Sequence, residues 1–327
     1  MKLLITGATG FVGGWLCKKL LQENHELRIL HRTSSDLSDI DGLEYESFIG
    51  DVTDLNSLKK ACQNVDSVFH LAGVVGYSKA ARPLMQKVNV EGTKNLLEAC
   101  IQNNIHRILH FSSVVAIGSS FKSDTILNEE SPFNIHHLNL GYFETKHQAE
   151  NLVLDATKSG RIEAVIVNPS TIYGPADAKK GSRKTQVKVA KGNFPFFTSG
   201  GVNIASVYDV VDATYQAWKS GTPGKRHILA GENITIKQLF EYIAECAQVP
   251  PPKIFLPNAL VHAIGKVGDL MEGLGKKGPL NSENAWTSTM YHWFDSTKAQ
   301  AELGLRVTPA KECIKTSVDW MRSNGII

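Results

Sequence analysis

The first thirteen residues, Met1-Lys2-Leu3-Leu4-Ile5-Thr6-Gly7-Ala8-Thr9-Gly10-Phe11-Val12-Gly13, constrain this chain more than any later stretch. An apolar run of β type passes straight into a helical pattern, so the backbone must reverse within a few residues. Gly7, Gly10 and Gly13 let the turn be tight, let backbone approach an anion without a Cβ in the way, and let the helix lie close on the strand. The helix N-terminus then faces that anion with unpaired N–H groups and the positive end of its dipole. A dinucleotide pyrophosphate fits such a turn, with Thr9, Phe11 and Val12 beside the glycines. An ordinary glycine-rich turn would leave both the three-residue spacing and the strand-turn-helix context as coincidence.

Composition closes other routes. The 327 residues, 42% hydrophobic and 20% charged, describe a globular protein long enough for a sizeable core. A net charge of +3, with no long basic stripe interleaved with aromatics, gives nucleic acid no footprint. The densest basic run, Lys179-Lys180-Gly181-Ser182-Arg183-Lys184, reads as a solvated loop. Cys17, Cys62, Cys100, Cys246 and Cys313 are odd in number and lack paired spacing, which fits free thiols in a reducing compartment. Met1 opens directly into the first strand, leaving no room for a signal peptide, and no apolar run reaches the length of a membrane span. The expectation is a cytoplasmic protein with neither membrane nor nucleic acid as a partner.

Beyond the glycine turn, Val12 to Glu23 reads as a helix and Glu26 to His31 as a second strand, completing a βαβ unit. Where a carboxylate would grip an adenosine ribose, the chain has His31-Arg32-Thr33-Ser34-Ser35. Arg32 suits a 2′-phosphate, which favours NADP over NAD. Leu43 to Ile49 gives a third strand. After it, Asp51 is placed to accept an adenine amino group beside Val52, and Asp54 caps a helix from Leu55 to Gln63. The fourth strand, Asp66 to Leu71, stops at Ala72-Gly73, small residues suited to backbone lying against a cofactor. His70 and His110 read as core histidines, since neither has a partner at metal-ligand spacing, and no metal is expected.

A long helix follows from about Pro83 to Asn103, and the fifth strand, Arg107 to Phe111, ends in Ser112-Ser113 and continues as Val114 to Gly118. Gly141 opens another helix, running to about Thr157. Arg161 to Val167 is a sixth strand, after which Asn168-Pro169-Ser170 forces the chain out of the sheet. Asn203 to Val207 reads as a return to that sheet, followed by a helix from Asp209 to Trp218 and a strand from Arg226 to Leu229. From about Gly231 the pattern is helical: Ile236 to Ala247, Ala259 to Leu274, Ser296 to Leu303 and Lys311 to Ser323. The fold class is α/β. A doubly wound parallel sheet covers 1–168 plus about 202–230, and a smaller, mostly helical substrate region covers about 169–201 plus 231–327.

Tyr142 and Lys146 stand four residues apart, hence on one helical face, and Ser113 arrives from a neighbouring strand end. Such a group can move a proton to or from a carbonyl oxygen. An adjacent ammonium would stabilise a phenolate and lower the tyrosine pKa from about 10, while the serine hydroxyl polarises the carbonyl. Each element alone is commonplace, yet all three in this order behind a glycine turn are not.

With these residues the chain resembles the extended short-chain dehydrogenase/reductases, and in detail the dihydroflavonol-reductase-like group and the related epimerase/dehydratase proteins. The resemblance runs the whole length, including Phe294-Asp295-Ser296-Thr297-Lys298-Ala299 and Glu302-Leu303-Gly304. It implies a Rossmann fold in which Gly7, Gly10 and Gly13 bind pyrophosphate, Arg32 the adenosine phosphate, and Asp51-Val52 the adenine. Leu71-Ala72-Gly73 would line the cofactor, and Pro169 and Ser170 would meet the nicotinamide carboxamide. Tyr142 would be the general acid/base, Lys146 its activator and ribose ligand, and Ser113 the carbonyl-orienting hydroxyl. Ser113 is chosen over Ser112 because it stands five residues before Gly118, the family's spacing. Asn89 matches an asparagine near the family's active site.

The function implied is an NADP-dependent oxidoreductase reducing a ketone or aldehyde to an alcohol. An NAD-dependent nucleotide-sugar epimerase is the alternative, and a non-catalytic NAD(P)-binding redox sensor a further one that the tyrosine and lysine disfavour. A sugar dehydratase would carry Thr-Asp-Glu where Ser113-Val114-Val115 stands. The expected partner is a small-molecule carbonyl, alcohol or sugar, and the resemblance is compatible with a homodimer.

Overall fold

Short continuous runs of buried side chains build the central layer of the computed structural model, which describes residues 1–179, 183–276, 278 and 280–327. Its strands are β1 (Lys2–Thr6), β2 (Glu26–His31), β3 (Glu46–Ile49), β4 (Ser67–His70), β5 (Arg107–Phe111) and β6 (Glu163–Pro169). Three short strands then leave that layer, β7 (Thr171–Tyr173), β8 (Phe196–Phe197) and β9 (Gly201–Ser206), before β10 (Arg226–Leu229) returns to it. The seven strands are all parallel, in the order β10-β6-β5-β4-β1-β2-β3. The order reverses between β1 and β4, which is where doubly wound sheets open a ligand crevice.

The helices joining these strands are α1 (Phe11–Gln22), α2 (Leu55–Ala61), α3 (Arg82–Met85), α4 (Gly92–Gln102), α5 (Gly141–Lys158), α6 (Lys184–Ala190) and α7 (Val207–Ser220). Because successive side chains point to opposite faces, Leu3, Ile5, Leu27, Ile29 and Val167 bury against Leu16, Leu20 and Trp218 of α1 and α7. Leu4, Leu30, Val68, Ile108 and Ile166 bury on the other face against Leu58, Leu96, Leu97 and Val153 of α2, α4 and α5. Both faces are covered, as a parallel sheet requires.

A second layer follows, with β11 (Glu232–Thr235) and β12 (Ile254–Phe255), and the helices α8 (Ile236–Ala247), α9 (Asn258–Gly273), α10 (Ser282–Thr289), α11 (Thr297–Leu303) and α12 (Ala310–Ser323). β9 pairs antiparallel with β11 and parallel with β7, and β8 pairs with β12. Tyr173, Ile204, Leu239, Phe240, Ile314 and Val318 form a separate core there. α8 begins with a capping box of Thr235 and Gln238. No described helix is long and apolar enough to cross a membrane.

The structure corrects four sequence expectations. Residues 203–207 do not return to the parallel sheet, because β9 finds its partners in β7 and β11. β11 itself was not legible, since Glu232-Asn233-Ile234-Thr235 holds one buried apolar side chain and is defined by pairing rather than periodicity. The predicted helix over 83–103 contains a π turn at Gln86–Glu91, and residues 114–116 are a 3-10 turn rather than more strand.

Asn203, fully buried, clamps the second sheet: its Oδ1 accepts from Gly231 N at 2.8 Å, and its Nδ2 donates to Gly231 O at 2.9 Å and Asn233 Oδ1 at 2.7 Å. Asn203→Ala would strand these groups inside the protein, at about 1–3 kcal/mol for each one left unpaired. Urea unfolding should shift to lower concentration by a stability loss of at least about 2 kcal/mol, and an unchanged midpoint would show the clamp to be dispensable.

Candidate active site

The glycine turn sits at the carboxyl end of β1, and its three glycines are unlike in their surroundings. Gly7 has φ +77°, and a Cβ there would stand 2.6 Å from Ala72 N, so the turn and the segment after β4 touch backbone to backbone. A Cβ on Gly13 would lie 2.2 Å from Gly7 O, which presses α1 against its own turn. Gly10 differs: a Cβ there would meet only Gly7 O within 4 Å, at 3.2 Å. It caps α1 with no side-chain hydrogen bond and no acid in the first turn. Thr9, Gly10, Phe11 and Val12 therefore present partly exposed backbone beside a helix N-terminus.

Around this turn the remaining candidates fall along one edge of the sheet. Arg32 is exposed just past β2, its backbone N–H on Ser35 Oγ at 3.1 Å. Asp51 is half-buried and accepts from Thr53 N at 2.9 Å, while Val52 O accepts from Asn95 Nδ2 at 3.2 Å. Leu71, Ala72 and Gly73 run past Gly7. Pro169 ends β6 beside Leu229, and Ser170 N donates to Leu229 O at 3.1 Å. The Ser170 hydroxyl is buried without a partner among the described residues.

A buried relay fixes the loop after β4. Thr6 Oγ1 meets His70 Nδ1 at 2.7 Å, His70 Nε2 meets Thr93 Oγ1 at 3.0 Å, and Thr93 Oγ1 donates to Asn89 O at 2.6 Å. Burial pushes the His70 pKa down to about 3, so the ring is neutral. His70 is thus the core histidine the sequence indicated. Asn89, in the π turn, accepts from Val74 N at 2.7 Å and donates to Val74 O at 3.0 Å and Thr145 Oγ1 at 3.2 Å. It ties the β4 loop to α5 at the residue before Lys146. π turns recur where a helix must aim a side chain out of register, and this one aims Asn89.

Ser113 stands beside the Tyr142 hydroxyl, close enough to act on its proton, and Lys146 Nζ donates to Phe111 O, two residues before Ser113, at 3.0 Å. Ser113, rather than Ser112, meets the tyrosine; the Ser112 hydroxyl is buried and unpartnered among the described residues. Electrostatics differ from the sequence expectation. Burial is the largest influence on Tyr142 and raises its pKa, with the nearby Tyr77 adding to this and the Ser113 hydrogen bond opposing it, so the phenol is neutral. Tyr142 remains partly exposed. Lys146 is buried, which lowers its pKa to about 8, and Glu150 pulls it back up.

Glu150 and Asn168 escaped the sequence reading. Glu150 is one turn past Lys146 and 1% exposed; its Oε2 accepts from Asn168 Nδ2 at 2.6 Å, and Arg226 lies 3.3 Å from its Oε1. The same Asn168 Nδ2 donates to Ser113 O at 3.1 Å, so one amide links the serine to the carboxylate beneath the lysine. The i,i+4 spacing of Lys146 and Glu150 was a usable signal. Nothing in the sequence pointed to Asn168, which is brought in by β6.

The wall in front of Tyr142 is apolar. Tyr142 packs with Tyr77, Val115, Phe133 and Trp286 on a buried cluster of Ile135, Leu140, Phe143 and Met290. The Tyr77 ring lies 6.0 Å from that of Tyr142, and Phe121 lies 5.8 Å from Trp286. Of the basic run expected as a solvated loop, Lys179 and Lys184 are exposed and Arg183 is not. Arg183 is buried, with its guanidinium 3.9 Å from the Tyr173 ring, its Nε 3.4 Å from Asp177, and a hydrogen bond to Ile172 O. Lys179 pairs with Asp39 at 2.9 Å, and Lys184 begins α6; Lys180, Gly181 and Ser182 lie outside the described residues.

Comparison with known proteins agrees with this architecture. The 3-beta hydroxysteroid dehydrogenase/isomerase family matches residues 4–233. A putative dihydroflavonol 4-reductase of Synechocystis sp. is 30% identical over 330 residues, covering 99% of this chain and 95% of that protein. The crystal structure of gox2253 superposes with a TM-score of 0.88 at 34% identity, over 99% of both chains. A nucleoside-diphosphate-sugar epimerase from Pseudomonas aeruginosa superposes at 0.80 over 100% of this chain and 99% of its own, with 22% identity, a likeness of fold alone.

The buried lysine makes a stability prediction. Its pKa is about 8 in the folded chain against 10.5 for a free side chain, so the unfolded chain holds this proton over a wider pH range. The burden of burying the charge is full below about pH 8 and disappears as pH rises to 10.5, giving stability that increases with pH across that window. Lys146→Met should therefore unfold at higher urea concentration than the parent at pH 7, with the advantage fading by pH 10.5. A variant less stable than the parent at pH 7 would refute it.

Proposed function

Because this chain belongs to the 3-beta hydroxysteroid dehydrogenase/isomerase family of extended short-chain dehydrogenase/reductases, and so is an NAD(P)-dependent enzyme, we propose that it reduces a ketone or aldehyde on an apolar organic substrate using NADPH. One observation carries this reading: a neutral Tyr142 phenol with Ser113 beside it packs with Tyr77, Phe133 and Trp286. We take the second sheet and its helices as the cap on the substrate side.

The residues present fit a nicotinamide dinucleotide. The open backbone at Gly10 leaves room for a pyrophosphate, Arg32 is free to face a 2′-phosphate, and the orphaned Ser170 hydroxyl can meet a carboxamide. Bound NADPH would supply the hydride to the carbonyl carbon. Ser113 holds the carbonyl oxygen by a hydrogen bond, and the neutral Tyr142 donates its proton there as negative charge develops. Lys146, held by Phe111 O, places positive charge beside the phenolate left behind. Asn89 and Glu150 keep the lysine's surroundings fixed from either side. The aromatic wall excludes water and suits an apolar substrate.

An epimerase must grip a nucleotide diphosphate with basic side chains. Among the described residues of the basic run, Arg183 is committed to Asp177 and Tyr173 and Lys179 to Asp39, which leaves Lys184, exposed at the start of α6, and supports reduction over epimerisation.

The test is to incubate the protein with NADPH and a panel of apolar ketones and aldehydes, and separately with nucleotide sugars. Loss of NADPH absorbance with the carbonyls is expected; an epimerised sugar formed with no net NADPH oxidation would reverse the assignment. In the same assay Tyr142→Phe should lower turnover by about 10²–10⁴ while cofactor affinity, read by fluorescence, stays nearly unchanged. Full activity in this variant would remove the proton donor from the scheme.

NADPH should bind more tightly than NADH, and Arg32→Ala should erase the difference. A charge-assisted phosphate contact contributes about 1.5–3 kcal/mol, or tenfold and more in affinity. Equal affinities in the parent would sink the assignment of Arg32.

A further inference from the structure

α9 is apolar on two opposite sides, and only one of them is packed. On the inner side Val261, Gly265 and Gly268 are buried, and a Cβ on Gly268 would stand 1.7 Å from Leu280 O, so the helix backbone itself rests on the segment leading into α10. At about 100° per residue, Leu260, Ala263, Val267, Leu270 and Leu274 share the opposite side. The four large ones are 47%, 56%, 68% and 70% exposed, and Ile254 and Phe255, just before the helix, are 50% exposed each. Six of the fourteen exposed large hydrophobic side chains among the described residues thus lie between 254 and 274. Such clustering on a solvent face marks an interaction surface.

The charges around this face are sorted by sign. Asp269 accepts from Ser282 N at 3.0 Å and pairs with Lys79 at 3.4 Å, and Glu272 accepts from Asn281 Nδ2 at 3.1 Å, so both acids are turned towards the protein. Lys253, Lys266 and Lys276 are exposed beside the apolar stripe. A stripe of leucine, valine and phenylalanine with a cationic margin complements an anionic headgroup layer above acyl chains.

We propose that the outer face of α9, with Ile254 and Phe255, docks in the plane of an anionic lipid bilayer. The sequence excluded a membrane partner by looking for a span, and a helix lying in the interface needs no such length. Behind the docked face, Asn281 and Asn284 at the start of α10 donate to Tyr77 O at 2.5 and 3.3 Å, and the Tyr77 ring neighbours Tyr142, so the inner side of the same helix pair touches the aromatic wall. The docking itself does not rest on the proposed reductase reading.

The experiment is flotation of the full chain with vesicles of phosphatidylcholine alone and of phosphatidylcholine mixed with phosphatidylglycerol, without cofactor or substrate, so its outcome is separate from that of the reductase assay. Binding to the phosphatidylglycerol vesicles that weakens with added salt is expected. Val267→Asp combined with Leu270→Asp should reduce it at least about tenfold with an unchanged thermal unfolding curve, since both side chains face solvent. Lys253→Glu with Lys266→Glu and Lys276→Glu should weaken binding to the anionic vesicles. No binding to either vesicle would overturn the proposal. So would a dimer by light scattering that Val267→Asp with Leu270→Asp converts to monomer without any vesicle binding, which would assign the face to a second copy.

Discussion

Backbone contact between Gly7 and the segment Leu71-Ala72 is the constraint on which the rest of the site depends. β1 and β4 are neighbours at the reversal of strand order, and their exits must share a space that admits no Cβ at position 7. Given that contact, the first turn can only run outwards over the strand ends, and α1 begins where its N–H groups face the crevice. Thr6 and His70, one residue before each exit, are hydrogen-bonded at 2.7 Å, so the two strand ends are also tied through side chains. Movement of either exit would break an approach that contains no flexible atoms to absorb it.

From that junction a polar column runs through an otherwise apolar interior. His70, Thr93, Asn89 and Thr145 link β4 to α4 and α5, and Phe111, Lys146, Glu150, Asn168 and Arg226 continue it beneath the tyrosine. Buried polar groups are tolerated when they are paired, and most members of this column are. The exceptions are informative. Asn168 Oδ1 within the column, and Ser112, Ser170 and both ring nitrogens of His110 on the neighbouring strands, are buried without partners among the described residues. Such groups also occur away from the crevice, at His25 Nδ1, Thr214 Oγ1 and His227 Nδ1, so it is the position of Ser170 after β6, and not the lack of a partner alone, that suits it to a ligand.

Burial also decides how the tyrosine and lysine divide their work. The sequence motif places an ammonium beside a phenol and leads to the expectation of a lowered tyrosine pKa. In the fold, desolvation raises Tyr142 instead, with the neighbouring Tyr77 adding to it, and burial lowers Lys146 towards neutrality as well. A neutral phenol is the form that can give a proton, and a lysine near pH 8 can still carry charge at neutral pH. The side chains packed with Tyr142, among them Tyr77, Val115, Phe133 and Trp286, are largely apolar, which is why burial dominates its proton affinity.

By itself the sequence determined the parallel sheet and its order of elements, because runs such as Leu3-Leu4-Ile5 and Ile108-Leu109 must be buried on both faces and the glycine turn allows only a strand-to-helix exit. It also put Tyr142 and Lys146 on one helical face and Ser113 at a strand end, since helical spacing and a strand end are local facts. Local pattern could not reach the rest. The strand at β9 was legible but its partners β7 and β11 were not, β11 is defined by that pairing, Arg183 became buried only when Asp177 and Tyr173 closed on it, and Asn168 meets Glu150 only because β6 runs behind α5. The outer face of α9 shows the same division: the apolar spacing was legible, but which of its two sides would be covered depended on where α10 came to rest. Tertiary structure decided these points because each is a contact between segments distant in sequence, and periodicity carries no information about a partner that distant.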